Sequence, residues 1–419
     1  MRRSWSWLGL LAFGACVPAT SVVAPPPAGD VPRLEARVEA NPDEIESRVL
    51  LGAAYQAAGR TEEAIATLEG SEAVRTGNPG GVLYLGLAYE DAERFGDARG
   101  VYQRFLETSR PEGRLRERIE GRIEILRRQE LSRAVQEALA RERELADAVP
   151  EPGTVAVFPF LVRTDDPELE PLGRAVAALV VSDLARLDRL TVVERANVDV
   201  LLDELALAEE GWVDPGTGAR GGRILGARHV VQADLAGGRN SLDVDAAVVE
   251  LEQGAETVAR VGAEGALDRI FEMQKEILFD VVDALGINLT PAEREALSER
   301  ATTNVMALLE YGRGLEAEAQ GRWQDAAEHF RSAAALDPAF TVASAAISGV
   351  AAAARVVGVE TVEILRSLSP PDIATLVNEL GALVNIAGIR DPAQEILGVE
   401  GVGGGSLTLE LILLPPGGG

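Results

Sequence analysis

The chain has 419 residues, of which 47% are hydrophobic, and its formal net charge is −27 at pH 7. A chain of this length is expected to form two to four domains, and its hydrophobic content is ample for packed cores. Such an acidic surface repels the phosphate backbone of nucleic acids and anionic lipid head groups. Composition therefore argues against nucleic-acid binding.

The first residues have the pattern of a secretory signal. Two arginines precede an apolar stretch, residues 5–15, that is too short to span a bilayer stably. Cys16, the only cysteine, follows two small residues, and this arrangement resembles a bacterial lipobox. The resemblance implies that residues 1–15 are removed and that the Cys16 thiol carries lipid. Val17, which is not an aspartate, implies sorting to the outer membrane. The alternative is a plain signal peptide with an incidental cysteine.

Residues 16–30 are rich in proline and are predicted to form a stiff, extended tether. Residues 31–148 are predicted to be helical and repetitive. Small and aromatic residues recur there at a spacing of 34 residues, in the pairs Gly52 and Gly86, Tyr55 and Tyr89, and Ala64 and Ala98. This is the period of tetratricopeptide (TPR) repeats, in which small residues let the two helices of a repeat approach closely.

A third TPR repeat is predicted within residues 290–340, where Gly314, Ala326 and Pro338 fit the same template. A single repeat cannot bury its own faces, so it is expected to lean on a neighbouring helix. Residues 341–419 contain alanine-rich and amphipathic helix followed by a glycine-rich, low-complexity end, and they match no known pattern.

Between the helical regions, residues 152–289 alternate strand and helix. The apolar runs 155–160 and 190–195 flank an amphipathic segment, which predicts strand, helix, strand, and Asn197 is placed to cap a second helix. Further strands are predicted at 229–235, 242–250 and 257–262, and a final helix at 266–285. The fold class is therefore α+β multidomain, with helical TPR repeats and a mixed-sheet α/β domain.

This α/β segment resembles the periplasmic domain of the curli secretion channel (CsgG-like) family. The resemblance rests on the runs 155–160 and 192–195 and on Gly211, Val213, Asp214, Thr217, Gly222, Leu225, Gly226 and Ala227. It implies a role in assembly at the cell envelope and the capacity to self-associate, for example as a ring. Trp212, in a loop of this segment, is either a core residue or a contact between subunits.

Catalytic chemistry finds little support in the sequence. The two histidines, His229 and His329, have no cysteine or second histidine near them, which disfavours a metal site. The only lysine, Lys275, has no glycine-rich loop before it, which excludes a Walker A phosphate site. Residues 216–221 read G-x-G-x-x-G but follow a polar loop, so helix packing is favoured over nucleotide binding. Glu194 and Arg195 are interpreted as an ion pair at a strand end. No enzyme activity, cofactor or metal is predicted.

The function predicted is a non-enzymatic scaffold, a periplasm-facing lipoprotein of the bacterial outer membrane. TPR helices would present a groove to protein partners, the CsgG-like domain would mediate assembly, and the lipid at Cys16 would supply the membrane contact. The alternative is a component of an outer-membrane secretion or transport pore of the curli type. The α/β segment contains none of the five tyrosines, so it lacks the aromatic girdle typical of a membrane barrel.

Overall fold

The computed structural model describes residues 28–111, 113–145, 149–205, 215–252 and 254–356. Eight helices precede the sheet in the described part of the chain. They are α1 Val31–Ala40, α2 Ile45–Ala57, α3 Thr61–Glu69, α4 Glu72–Arg75, α5 Pro79–Asp91, α6 Phe95–Thr108, α7 Gly113–Ala140 and α8 Glu142–Leu145. Helices α1 to α6 and the first half of α7 bury one continuous apolar core.

A mixed sheet with its own helices follows. Its elements are β1 Thr154–Val157, β2 Leu161–Arg163, α9 Leu172–Leu184, β3 Thr191–Val192, α10 Arg195–Glu204, α11 Pro215–Ile224, β4 His229–Gly238, β5 Ser241–Glu250, β6 Glu256–Gly265 and α12 Ile270–Ala284. The strand order is β3-β1-β4-β5-β6, and β2 also pairs with β4. The β1, β2 and β3 pairings are parallel, whereas β4, β5 and β6 are antiparallel. The predicted α+β fold class is confirmed.

Both faces of the central strands are covered by helices. Val155 and Val157 share a core with α9 and α12, whereas Ala156 and Phe158, which point the other way, share one with α10 and α11. Alternation of side chains across a strand requires this arrangement once both faces are buried. Val135, in the second half of α7, belongs to the core on the α10 side.

Four more helices end the described chain: α13 Pro291–Ser298, α14 Val305–Ala319, α15 Trp323–Leu336 and α16 Thr341–Ala354. The α14–α15 hairpin packs against α9, where Gly312 lies directly against the carbonyl oxygen of Pro171. The hairpin also packs against α16. Helix α16 in turn packs on α7, where Gly121 of α7 lies against the carbonyl oxygen of Ala352 in α16. Helix α7 therefore contacts the N-terminal helices, the sheet domain and the C-terminal helix α16.

Two predicted strands are shorter in the structure. The run 155–160 is interrupted after Val157 because Pro159 has no N–H to donate, and Phe160 instead bonds to the carbonyl of Gly173 at the start of α9. The run 190–195 forms only the two-residue strand β3. Helix α10 already begins at Arg195, so Asn197 lies inside the helix and the prediction that it caps the helix is wrong.

In the part of the chain that the structure describes, no helix combines the length and the apolar character needed to cross a bilayer.

Candidate interaction site

Glycines mark the closest contacts within the three helical hairpins of the described chain, α2–α3, α5–α6 and α14–α15. A Cβ added at Gly52 would overlap Leu68, and one at Gly86 would overlap Tyr102. Gly314 lies in the same way against Phe330. The alanines of the same pattern, Ala64, Ala98 and Ala326, are fully buried. Pro338 is exposed and follows the end of α15, where proline's missing N–H is tolerated.

A second repeated contact set was not recognised from the sequence. The Arg60 guanidinium lies 4.4 Å from the centroid of the Tyr55 ring, and the Tyr55 hydroxyl donates to Glu35 at 2.7 Å. The same two contacts recur 34 residues later among Tyr89, Arg94 and Glu69. The signal was present as an identical spacing of Glu, Tyr and Arg in two consecutive segments.

Both tyrosines resist ionisation. Burial first, and the hydrogen bond to the Glu35 carboxylate second, raise the pKa of Tyr55 to about 12. Burial and the bond to Glu69 likewise raise the pKa of Tyr89 to about 12. The stacked arginines stay protonated, so each set keeps its cation over a neutral ring across physiological pH.

A cleft of about 320 Å³ lies between α4 and α6. Its floor is apolar and its rim carries both signs of charge: it is lined by Glu69, Val74, Arg75, Gly77, Val82, Val101, Arg104, Phe105 and Thr108. Helix α5 itself offers no open face, because every residue from Gly80 to Tyr89 is buried. The α4–α6 cleft is thus an opening on these helices that a partner can reach.

The sheet domain is joined to α14 through Arg195. Its guanidinium contacts Asp199 at 2.7 Å and Glu318 at 2.6 Å, and Arg174 also bonds to Asp199, which is 2% exposed. Burial lowers the pKa of Arg195, but the carboxylates of Glu318 and Asp199 outweigh it and raise that pKa above the usual range. The expected pairing of Arg195 with Glu194 is wrong, because Glu194 instead contacts Arg127 at 3.6 Å.

A polar seam joins α7 to α10. Arg128 pairs with Asp203 at 2.7 Å, and Gln136 donates to Glu204 at 3.1 Å. Ser132 also donates to Glu204. This seam fixes α7 and the sheet domain against each other.

The G-x-G-x-x-G stretch lies inside α11 and does not form a phosphate-binding loop. Gly218 lies against the side chain of Gln232, Gly221 against Phe158, and Gly222 against Val230. A side chain at these positions would push α11 off the sheet, which supports the packing interpretation.

The histidines and the lysine lie in separate places. His329 shares a 2.8 Å hydrogen bond with Glu310. The Nδ1 atom of His229 is buried without a hydrogen-bond partner among the described residues, and burial lowers the pKa of this histidine. Lys275 is buried between α12 and α9, where its ammonium contacts Asp183 at 2.7 Å. The described ranges contain no group of three or more His, Cys, Asp or Glu able to hold a metal ion.

Two predicted site residues, Cys16 and Trp212, lie outside the described residues, as does most of the C-terminal region.

Residues 131–237 match the family model described as "Curli production assembly/transport component CsgG". None of the curated proteins compared with the chain matches it. Among solved structures, the chain is similar to the LpoB C-terminal domain from Salmonella enterica, with 16% identity and a TM-score of 0.24 over 32% of this chain and 95% of that chain. The matched family segment begins inside α7 and ends in β4, so residues 131–237 of the chain are CsgG-like.

Proposed function

We propose that the chain is a non-enzymatic scaffold of the bacterial cell envelope, anchored by lipid to the periplasmic face of the outer membrane. The observation that carries this proposal is the match of residues 131–237 to a family described as a curli assembly and transport component. The N-terminal signal pattern with Cys16 supports the lipid anchor.

We propose that the helical hairpins are TPR repeats that bind a protein partner. Two features support this assignment: the 34-residue recurrence of the Glu–Tyr–Arg contact set, and the glycines at the helix contacts. The α4–α6 cleft, with apolar floor and charged rim, has the character of a peptide-binding site. The partner is a protein segment with an apolar side chain to fill the floor.

The proposed organisation follows the sequence. Residues 1–15 form the signal peptide and 16–30 the tether. Residues 31–148 and 290–340 carry the repeats on either side of the CsgG-like domain, 152–289, and 341–419 form the C-terminal region. The CsgG-like domain mediates assembly with further copies of the chain, as a ring, with Trp212 as a subunit contact.

Replacement of Cys16 tests the anchor. Cys16→Ala should move the full chain from the membrane fraction to the soluble periplasmic or secreted fraction, because Cys16 is the only residue that can accept the lipid. The matched variant Val17→Asp keeps the lipid and should move the chain to the inner-membrane fraction. If Cys16→Ala still sediments with membranes after a high-salt wash, the lipoprotein assignment is wrong.

The second candidate is a component of a curli-type transport pore, which the family description favours. Planar-bilayer recordings with the purified full chain separate the two functions. Discrete conductance steps would establish the pore, whereas the scaffold gives none.

A further inference from the structure

Strand β6 is a long open edge of the sheet. Among the described strands it pairs only with β5, and at ten residues it contrasts with the two-residue β3 at the opposite edge. Its residues Val258, Arg260, Gly262 and Glu264 are exposed. Proteins usually cover or shorten such an edge, because its unpaired backbone groups can accept another strand.

The direction of the free backbone groups follows from the ladder. Phe158 donates to the carbonyl of Val231, so the odd-numbered residues of β4 bond to β1 and its even-numbered residues bond to β5. Alternation continues across the sheet, and the register pairs Ala246 of β5 with Val261 of β6. The odd-numbered residues of β6 therefore bond to β5, and Arg260, Gly262 and Glu264 direct their N–H and C=O groups outward.

The exposed charges on this edge have no partner in the described structure. Arg260 and Glu264 take part in no ion pair there. Glu264 lies opposite Asp243 on β5, and the next pair inward is Gly262 with Asp245. Like charges directly opposite each other destabilise a sheet, so Asp243 does not compensate Glu264. The edge therefore presents an uncompensated negative charge at Glu264 and an uncompensated positive charge at Arg260.

We infer that β6 pairs antiparallel with β6 of a second copy of this chain, with Gly262 facing Gly262 at the two-fold axis. In this register Arg260 of each copy faces Glu264 of the other, which gives two opposite-charge pairs between outward-facing residues. The register centred on Arg260 instead places Arg260 against Arg260 and Glu256 against Glu264, so charge selects the register centred on Gly262.

The pairing rests on the proposed role of the CsgG-like domain in assembly and gives it a geometry. A continuous sheet running head to tail around a ring would need to join β6 to the other edge, where β3 offers only two residues. An isologous contact uses the same long strand twice and needs no second edge. The structure thus favours dimers as the building unit.

Cysteine scanning of β6 in the full chain tests the register. Residues 260 to 264 are replaced by cysteine one at a time, membranes are treated with a mild oxidant, and dimers are separated on non-reducing gels. Only residue 262 faces itself, at a Cα separation of about 5.5 Å that suits a disulfide. Gly262→Cys should give the highest dimer yield, and the unmodified chain, with Cys16 alone, gives the background. A maximum at residue 260, a flat profile or yields at background would overturn the register.

Charge exchange provides a second test, in which Gly262 is left unchanged. Sedimentation of the full chain in detergent should show the dimer weakened about tenfold by Arg260→Glu and similarly by Glu264→Arg. The double variant, which restores opposite charges, should recover the dimer. Arg331→Glu, an exposed charge change on α15, is the matched control and should have no effect.

The outcomes separate this inference from the proposed function. A monomer at all concentrations removes both the pairing and the assembly role, but leaves membrane anchoring to its own test. An oligomer that is insensitive to the charge changes and shows a flat cysteine profile removes only the β6 pairing.

Discussion

At the residue scale, one backbone position recurs in all three helical hairpins. Gly59, Glu93 and Gly321 each lie two residues before the first residue of a hairpin's second helix, and all three have a positive φ, between 56° and 70°. Glycine adopts this conformation without strain, whereas Glu93 adopts it while its carbonyl and carboxylate both bond to Arg133.

Replacing Gly321 isolates the cost of that conformation. No atom lies within 4 Å of a Cβ at Gly321, so Gly321→Ala meets only backbone strain and should lower the free energy of unfolding by about 1 kcal/mol. Gly100, in the interior of α6, also has open space around it but ordinary helical backbone. Gly100→Ala should therefore raise stability, by up to about 1 kcal/mol. Urea denaturation measures both, and equal shifts of the same sign would contradict the explanation.

The local patterns were predictable at this scale, but the partners of buried charges were not. Gly52, Gly86 and Gly314 follow a spacing that is visible in the sequence. Arg195, by contrast, meets Glu318 across 123 residues, and no periodicity relates them. The same holds for Lys275 and Asp183, which only the packing of α12 on α9 brings together.

At the element scale, the two Glu–Tyr–Arg sets tie the hairpin α2–α3 to α1 and the hairpin α5–α6 to α3. Tyr55 of α2 reaches Glu35 of α1, and Tyr89 of α5 reaches Glu69 of α3. Ionisation of either hydroxyl would place two negative charges within hydrogen-bonding distance, which the native state disfavours.

The raised pKa values of Tyr55 and Tyr89 give the direction of the pH dependence. Both are about 12, above the ordinary value of 10.0, so their contribution to stability is fully present below pH 10 and is lost as the pH rises toward 12. Circular dichroism at increasing pH should show the N-terminal helices unfold in this range. The double variant Tyr55→Phe, Tyr89→Phe keeps the rings under Arg60 and Arg94 and should show a shallower alkaline loss. An unchanged slope in that variant would assign the transition to other groups.

Element order was more predictable than element length. The sequence patterns located every strand of the sheet except β2, Leu161–Arg163, which lies beyond the predicted run 155–160. The run 190–195 forms only the short strand β3 because helix α10 starts at Arg195. Arg195 pairs with Asp199 within the helix and with Glu318 on the distant helix α14, and a strand pattern reveals neither contact.

At the scale of the whole molecule, the described helices and sheet are interlocked. The core beneath α9 and α12 continues into α14, α15 and α16, and α16 closes back onto α7. A substitution at the Arg195 junction should therefore lower the stability of helices outside the sheet domain as well.

Glu318→Ala tests that coupling. It leaves Arg195 with Asp199 alone and should lower the free energy of unfolding by about 1 to 3 kcal/mol. Hydrogen exchange should show loss of protection in α14 and α15 first. Glu316→Ala is the matched control, because the Glu316 carboxylate accepts a hydrogen bond from Gln320, the C-cap residue of the same helix. Loss of protection confined to α10, with α14 unaffected, would show that Glu318 does not hold the hairpin.

The burial of Lys275 determines what kind of positive charge this protein can present. Lysine and arginine total 40 in the chain, and the single lysine is enclosed between α9 and α12. Every lysine or arginine side chain that reaches solvent is thus a guanidinium, a planar group that keeps its proton at any pH a cell reaches and binds carboxylates through two parallel hydrogen bonds. Arg220 holds Glu142 in this two-bond manner. A carboxylate that docks on this surface would consequently be selected by its orientation as well as by its charge, and reagents that modify amines find no ε-amino group on the folded surface.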